Sequence, residues 1–213
     1  MVMSFIAYVE GNPNLVSRND IDNNGTTLDA FIQMAYPLLK QEHSWLMRAG
    51  NGHVVNIKLG GVSYLLNRYH SNDTTPRPES YAEDYHTAAS FTASDQRNAL
   101  FRNIRAGAET GWDFSSRWIP HASTNARALP TQHARLNLSQ IQTSDIVPPD
   151  LNAIMFLCEK NLANLAASAT IDIPDDAAMY TAASSARREA IRAVLFDEDL
   201  SCWSDYNLTS NAR

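Results

Sequence analysis

The stretch richest in chemistry is Gly111-Trp112-Asp113-Phe114-Ser115-Ser116-Arg117-Trp118, a carboxylate crowded by three aromatic rings and followed by an arginine. Aromatic walls suit sugar rings. An aspartate packed against Trp112 and Phe114 would lose hydration, which raises its pKa and lets it keep a proton for a glycosidic oxygen; Arg117, if close, would oppose that shift. A second group lies upstream in Pro76-Arg77-Pro78-Glu79-Ser80, followed by Glu83 and Asp84. It joins a guanidinium fork to carboxylates that can hold several hydroxyls in fixed directions, as polyols require. Each group also has a purely structural reading. The first could be a core corner beside a capped helix end, and the second a surface salt bridge.

These side chains need elements to hold them. After an apolar opening and a polar loop over 16–27, Asp29 begins a helical pattern. Phe31, Ile32, Ala35, Leu38, Leu39, Trp45 and Leu46 share about one face of it, and Pro37 should kink it. Val55, Ile57 and Leu59 then alternate with polar residues, Gly60-Gly61 supplies a two-residue turn, and Val62, Tyr64 and Leu66 alternate again. Pairing 59 with 62, 57 with 64 and 55 with 66 places all six on one face of a hairpin. The turn-rich segment 67–82 holds Arg77 extended between Pro76 and Pro78.

A second helix is expected from Ser94, which can cap it, with Leu100, Ile104 and Ala108 inward and Gly111 as its stop, so that Asp113 sits just past its end. Residues 121–143 lack periodicity and read as a long surface loop. Pro148-Pro149 introduce a helix with Leu151, Ile154, Met155, Cys158, Leu162 and Leu165 inward. A last helix, over about 175–196, would bury Met179, Ala183, Ala186, Ile191, Val194 and Leu195 by the same spacing. No fixed-period repeat or linker divides the chain. The expected architecture is mainly α, with one small β-hairpin.

Composition excludes several classes. With 213 residues, 44% of them hydrophobic, the chain can bury a sizeable core. A formal net charge of -6, with the 17 Lys and Arg scattered, repels phosphate backbones and argues against nucleic acid. Cys158 and Cys202 form no short-spaced pair, which points to neither a disulfide framework nor a zinc site and leaves a single pairing open. His43, His53, His70, His86, His121 and His133 make no H-E-x-x-H, so no metal is expected. Dinucleotide, phosphate-loop and serine-hydrolase motifs are also missing. No apolar run approaches the roughly 18 residues of a membrane span. Four Asn-X-Ser/Thr sequons begin at Asn24, Asn72, Asn137 and Asn207, close to chance in a chain this rich in Asn, Ser and Thr.

The two groups in this order resemble the trehalases of glycoside hydrolase family 37. The likeness is carried by LNRY at 66–69, TPRPES at 75–80 with Glu83-Asp84, AETGWDFSSRW at 108–118 and IVPPDLNAIMF at 146–156. Residues 31–47 are similar to a family helix ending in E-x-x-x-W-M, here Glu42-His43-Ser44-Trp45-Leu46-Met47, with the tryptophan one position earlier. The resemblance implies an (α/α)6 toroid, hydrolysis of α,α-trehalose to two glucose molecules by inversion, and no cofactor. It implies Asp113 as general acid, Arg77, Pro78 and Glu79 as sugar-binding positions, Gly111 as a backbone contact to sugar, and Trp112 and Arg117 in support.

The family's glycine-rich P-G-G-R-F segment, its R-S-Q-P-P stretch, its Q-W-D-x-P signature and its catalytic base have no counterpart here. Residues 1–213 are therefore expected to be the central part of a catalytic domain, a partial toroid with little activity of its own. A non-catalytic carbohydrate-binding or regulatory helical fragment is the alternative. The sequence assigns no compartment and leaves a secreted or membrane-associated parent protein open.

Overall fold

The computed structural model describes residues 28–119 and 138–213. The expected loop at 16–27, most of the 121–143 loop and the sequons at Asn24 and Asn137 lie outside them. Within the described residues the protein is mainly helical: α1 (Leu28–Leu46), α2 (Tyr81–Thr87), α3 (Ser94–Glu109), α4 (Pro149–Ala167) and α5 (Pro174–Leu195). Two strands, β1 (Val54–Leu59) and β2 (Val62–Asn67), form the hairpin. Short ladders follow, with β3 (Ile146–Val147) pairing β6 (Tyr206–Asn207), and β4 (Phe196–Asp197) pairing β5 (Cys202–Trp203).

The hairpin register is the expected one, Leu59 with Val62, Ile57 with Tyr64 and Val55 with Leu66. Gly60 and Gly61 take φ of 56° and 83°, the left-handed values a tight hairpin turn demands and side chains resist. Ile57 and Leu66 are buried against Val147, Val194, Leu195 and Tyr206, with Val55, Leu59 and Tyr64 packed around them, while Val62 is exposed. Burying a side chain such as Leu66 fully contributes about 1.5–3 kcal/mol.

Helices α4 and α5 form an antiparallel pair joined by residues 168–173, where Asp172 at φ 52° helps reverse the chain. Leu28, Ile32 and Tyr36 of α1 pack on Leu162, Leu165, Ala166 and Tyr180 of that pair. The buried stripes of α4 and α5 differ from those the apolar spacing predicts. Ile154 and Met179 are exposed, whereas Asn152, Glu159, Ser184 and Arg187 are buried. On α1, Leu38 and Trp45 are exposed.

Asn152, Glu159 and Arg187 form one junction with Asn67 at the end of β2. Arg187 Nε donates to Glu159 Oε1 and Oε2 at 2.8 and 2.9 Å, and its Nη1 donates to Asn67 Oδ1 at 2.9 Å and Asn152 Oδ1 at 3.1 Å. Asn152 returns Nδ2 bonds to the carbonyls of Asn67 and Pro148, each 2.8 Å. Both buried charges of the junction, Arg187 and Glu159, are thus paired, as burial demands. The junction fixes the end of β2 against the first half of α4 and the second half of α5, and the site grows from the chain just beyond it.

Candidate active site

After β2, Arg68 secures the outgoing chain by donating Nε to Gly52 O at 2.8 Å and Nη1 to Ser144 O at 2.6 Å. Downstream, Asp73 accepts from the amide and hydroxyl of Thr75 at 2.9 and 2.7 Å. Arg105 of α3 donates to the carbonyls of Thr75 and Pro76, both at 2.8 Å. The backbone is therefore rigid when it reaches Arg77, which is extended at φ -66° and ψ 136° as a residue between prolines must be. Pro78 opens a single 3-10 turn, Pro78–Ser80, and Glu79 is exposed on it.

Arg77 is held by Asp84, the one buried residue of α2. Its Nε and Nη2 donate to the two carboxylate oxygens at 2.9 and 2.8 Å, and its amide donates to Oδ2 at 3.0 Å. Asp84 thus serves the arginine and not a sugar hydroxyl, and Arg77 does make the salt bridge of its structural reading. The guanidinium also lies 4.7 Å over the ring of Phe114. Its pKa is raised, chiefly by the Asp84 hydrogen bonds, with Glu79 and Asp113 adding their charges. Arg77, Glu79 and Asp113 therefore occupy one electrostatic neighbourhood.

The Asp113 loop begins where α3 ends. Thr110 donates Oγ1 to Gly107 O at 2.7 Å and accepts the Trp112 amide at 2.9 Å. Gly111 and Asp113 then take left-handed φ of 69° and 42°. For aspartate this costs about 1–2 kcal/mol, tolerable because its short polar side chain suits such positions. Gly107 permits a close approach here, since a Cβ on it would lie 3.3 Å from Asp113 O and 3.2 Å from Ile141 Cδ1. The sequence reading passed over Gly107, although a glycine inside a helical pattern is a signal for such a contact.

Two expectations about this loop change. Asp113 and Gly111 are exposed and Trp112 is 61% exposed, so the aromatic burial of the carboxylate expected from the sequence is not present among the described residues. Arg117 does not spend its charge on Asp113. It forks onto Asp150 at 2.9 and 3.1 Å and onto Asp205, with Nε donating at 2.7 Å. Those hydrogen bonds, Asp205 first, raise the Arg117 pKa. Burial alone would raise the Asp150 carboxyl, but hydrogen bonds from Arg117 outweigh it and leave the group below its usual range. The sequence offered Asp84 only as a carboxylate for hydroxyls, and it did not single out Asp150 or Asp205, because a pairing partner far along the chain leaves no local pattern.

Cys158 and Cys202 are both free. Among the described residues no helix is long and apolar enough to cross a membrane, and no group of three His, Cys, Asp or Glu could hold a metal.

A family model for trehalase matches residues 15–213. The chain is 38% identical over 190 residues to a trehalase of Dictyostelium discoideum, covering 89% of this chain and 30% of that protein. It is 40% identical over 159 residues to a trehalase of Homo sapiens, covering 75% of this chain and 25% of that one. With a periplasmic trehalase of Salmonella newport (strain SL254) the identity is 37% over 183 residues, 82% of this chain and 29% of the relative. The chain spans less than a third of the length of each of these relatives. A match over nearly all of its residues, and a fold that sets Arg77 of the first motif on Phe114 of the second, place this chain in the trehalase family.

Proposed function

We propose that the chain carries the acid side of an inverting trehalose hydrolase, with Asp113 as general acid, and that its 213 residues are the central part of an (α/α)6 catalytic domain. The observation that supports this most is the seating of Arg77 on Phe114, because it sets the hydroxyl-binding segment beside the residue that precedes Phe114. Asp113 gives its proton to the oxygen joining the two glucose units. Arg77 and Glu79 clamp ring hydroxyls, Pro78 sets the turn between them, Gly111 presents its backbone to the sugar and Trp112 offers an apolar face. Because Asp84 already holds the Arg77 fork, little ordering is left to occur on binding.

Inversion needs a second carboxyl about 6.5–9.5 Å from the first, drawing a proton from water on the opposite face of the sugar. No carboxylate of this sequence is assigned that role, since Glu79 and Glu83 are placed with the hydroxyl-binding segment. The chain alone is therefore expected to release little or no glucose from trehalose, and turnover near that of an intact trehalase would overturn this. Replacing the matched segment of the Dictyostelium discoideum trehalase with residues 15–213 tests the positive half. The hybrid should hydrolyse trehalose and lose that activity with Asp113→Asn. A folded hybrid that is inactive, or indifferent to Asp113→Asn, would sink the assignment.

The exposure of Asp113 and Trp112 favours a second reading, a carbohydrate-binding module without chemistry, because among the described residues no wall excludes water from the carboxyl. Calorimetric titration of the chain with trehalose decides between them. Saturable heat without glucose release supports the module, and absence of heat removes it.

A further inference from the structure

We propose that Arg117 is a positioning residue for Asp113 and that it acts through Asp205 and Asp150; this rests on Asp113 being the acid of the proposed reaction. The loop from Gly111 to Trp118 is pinned at its upstream end by Thr110 and by the close approach of the Asp113 carbonyl to Gly107. Its downstream end is pinned by Arg117. Nη1 and Nη2 donate to Asp150 at 2.9 and 3.1 Å, Nε donates to Asp205 at 2.7 Å, and Nη2 makes a further short bond to Asp205. The guanidinium also lies 4.9 Å over Trp118, a fully buried ring, and the Arg117 amide donates to Ser115 Oγ at 3.2 Å. Asp150 sits in the first turn of α4, where the helix dipole favours a carboxylate.

Between these pins lie the two left-handed residues, Gly111 and Asp113. A non-glycine residue keeps such a conformation only where its surroundings over-determine it. The Arg117 brace provides that constraint, one turn downstream of Asp113. Its role is geometric, because two carboxylates already outweigh its single positive charge. A lysine would keep the charge and lose the planar fork, so it should fail as a substitute.

The test uses the full chain, uniformly labelled with 13C and 15N, as wild type and as Arg117→Lys, Asp205→Asn and Asp150→Asn. Arg192→Lys, at an exposed pair with Glu198, serves as control. In the three brace variants the Asp113 Cα and carboxyl resonances should leave their wild-type positions. The Trp112 and Ser115 amides should exchange with solvent about tenfold faster or more, as local opening requires, while amides around Arg187 hold theirs. The control should move none of these. Unchanged Asp113 resonances in Arg117→Lys and Asp205→Asn would overturn the proposal, as would losses spread evenly over α4 and α5. Should Arg117→Lys fail to fold, the near-isosteric Asp205→Asn carries the comparison. The readout needs no turnover, so an inactive hybrid trehalase would refute the acid assignment and leave the brace standing or falling by these spectra.

Discussion

Arg77 and Phe114 meet as a guanidinium lying 4.7 Å over an aromatic ring, and this contact joins segments that the sequence separates by the two helices α2 and α3. The arginine reaches the ring in a fixed pose because Asp84 grips it from α2.

Asp84→Asn should therefore be costly although the side chain keeps its shape. It removes the charge from a bidentate pair whose carboxylate is 1% exposed. The expected loss is about 1.5–3 kcal/mol, the range for hydrogen bonds to charged groups, read from urea unfolding at pH 7. A loss below about 0.5 kcal/mol, the scatter of an ordinary surface change, would show that Arg77 does not depend on Asp84.

At Asp113, stability and chemistry should part company. Asp113→Gly relieves the left-handed backbone and is expected to stabilise by about 1 kcal/mol. Gly111→Ala should do the reverse by a similar amount, since its φ is 69° although nothing lies within 4 Å of the added carbon. Urea midpoints of the two variants moving the same way would contradict this account of the loop.

The pair Glu159 and Arg187 offers a coupling measurement. Arg187→Met leaves a carboxylate that is 2% exposed without its main partner, which should cost about 3–5 kcal/mol. Replacing both residues by Leu should cost less than the sum of the two single Leu changes. Additive losses in that double-mutant cycle would mean the two charges are independent.

Acid should weaken the fold in two stages. Burial pushes the His70 imidazole below its ordinary value, so the native state resists its protonation. Its contribution is complete above about pH 6.5 and is lost as pH falls through the lower native pKa. Glu159 follows at lower pH. Burial would raise its pKa, but hydrogen bonds from His43 and Arg187 outweigh it and hold the group below the usual carboxylate range. That stability is present above about pH 4.3 and disappears as pH drops through the native value. Urea midpoints measured from pH 8 to 2 should hold down to about pH 6.5 and fall below it, and Glu159→Gln should flatten the fall below about pH 4.3. A midpoint that rises between pH 7 and 5 would refute the pattern.

Much of the fold was legible in the residues. Gly60-Gly61 between two alternating runs determines the hairpin and its register, because turn chemistry and periodicity agree there. Four helices were placed nearly to their ends, and Ser94 begins α3 although Ala93 occupies the cap position. The inward faces of α4 and α5 were misjudged because apolar spacing cannot find a stripe that buries Asn152, Glu159, Ser184 and Arg187. The short helix α2, just past the turn-rich segment 67–82, was not expected. At the site, Arg77 and Asp113 were singled out by residue type and family likeness. The pairing role of Asp84 emerged only from the folded chain, as did Asp150, Asp205 and the outward placement of Trp112.

Arg117 takes one of its two carboxylates from a residue 88 positions further on. At about 5–20 residues per second, a ribosome needs roughly 5–20 s to travel that far. Through this interval the nascent loop has no Asp205 to grip, so Asp113 is braced only after the hairpin and helices α3, α4 and α5 have been made.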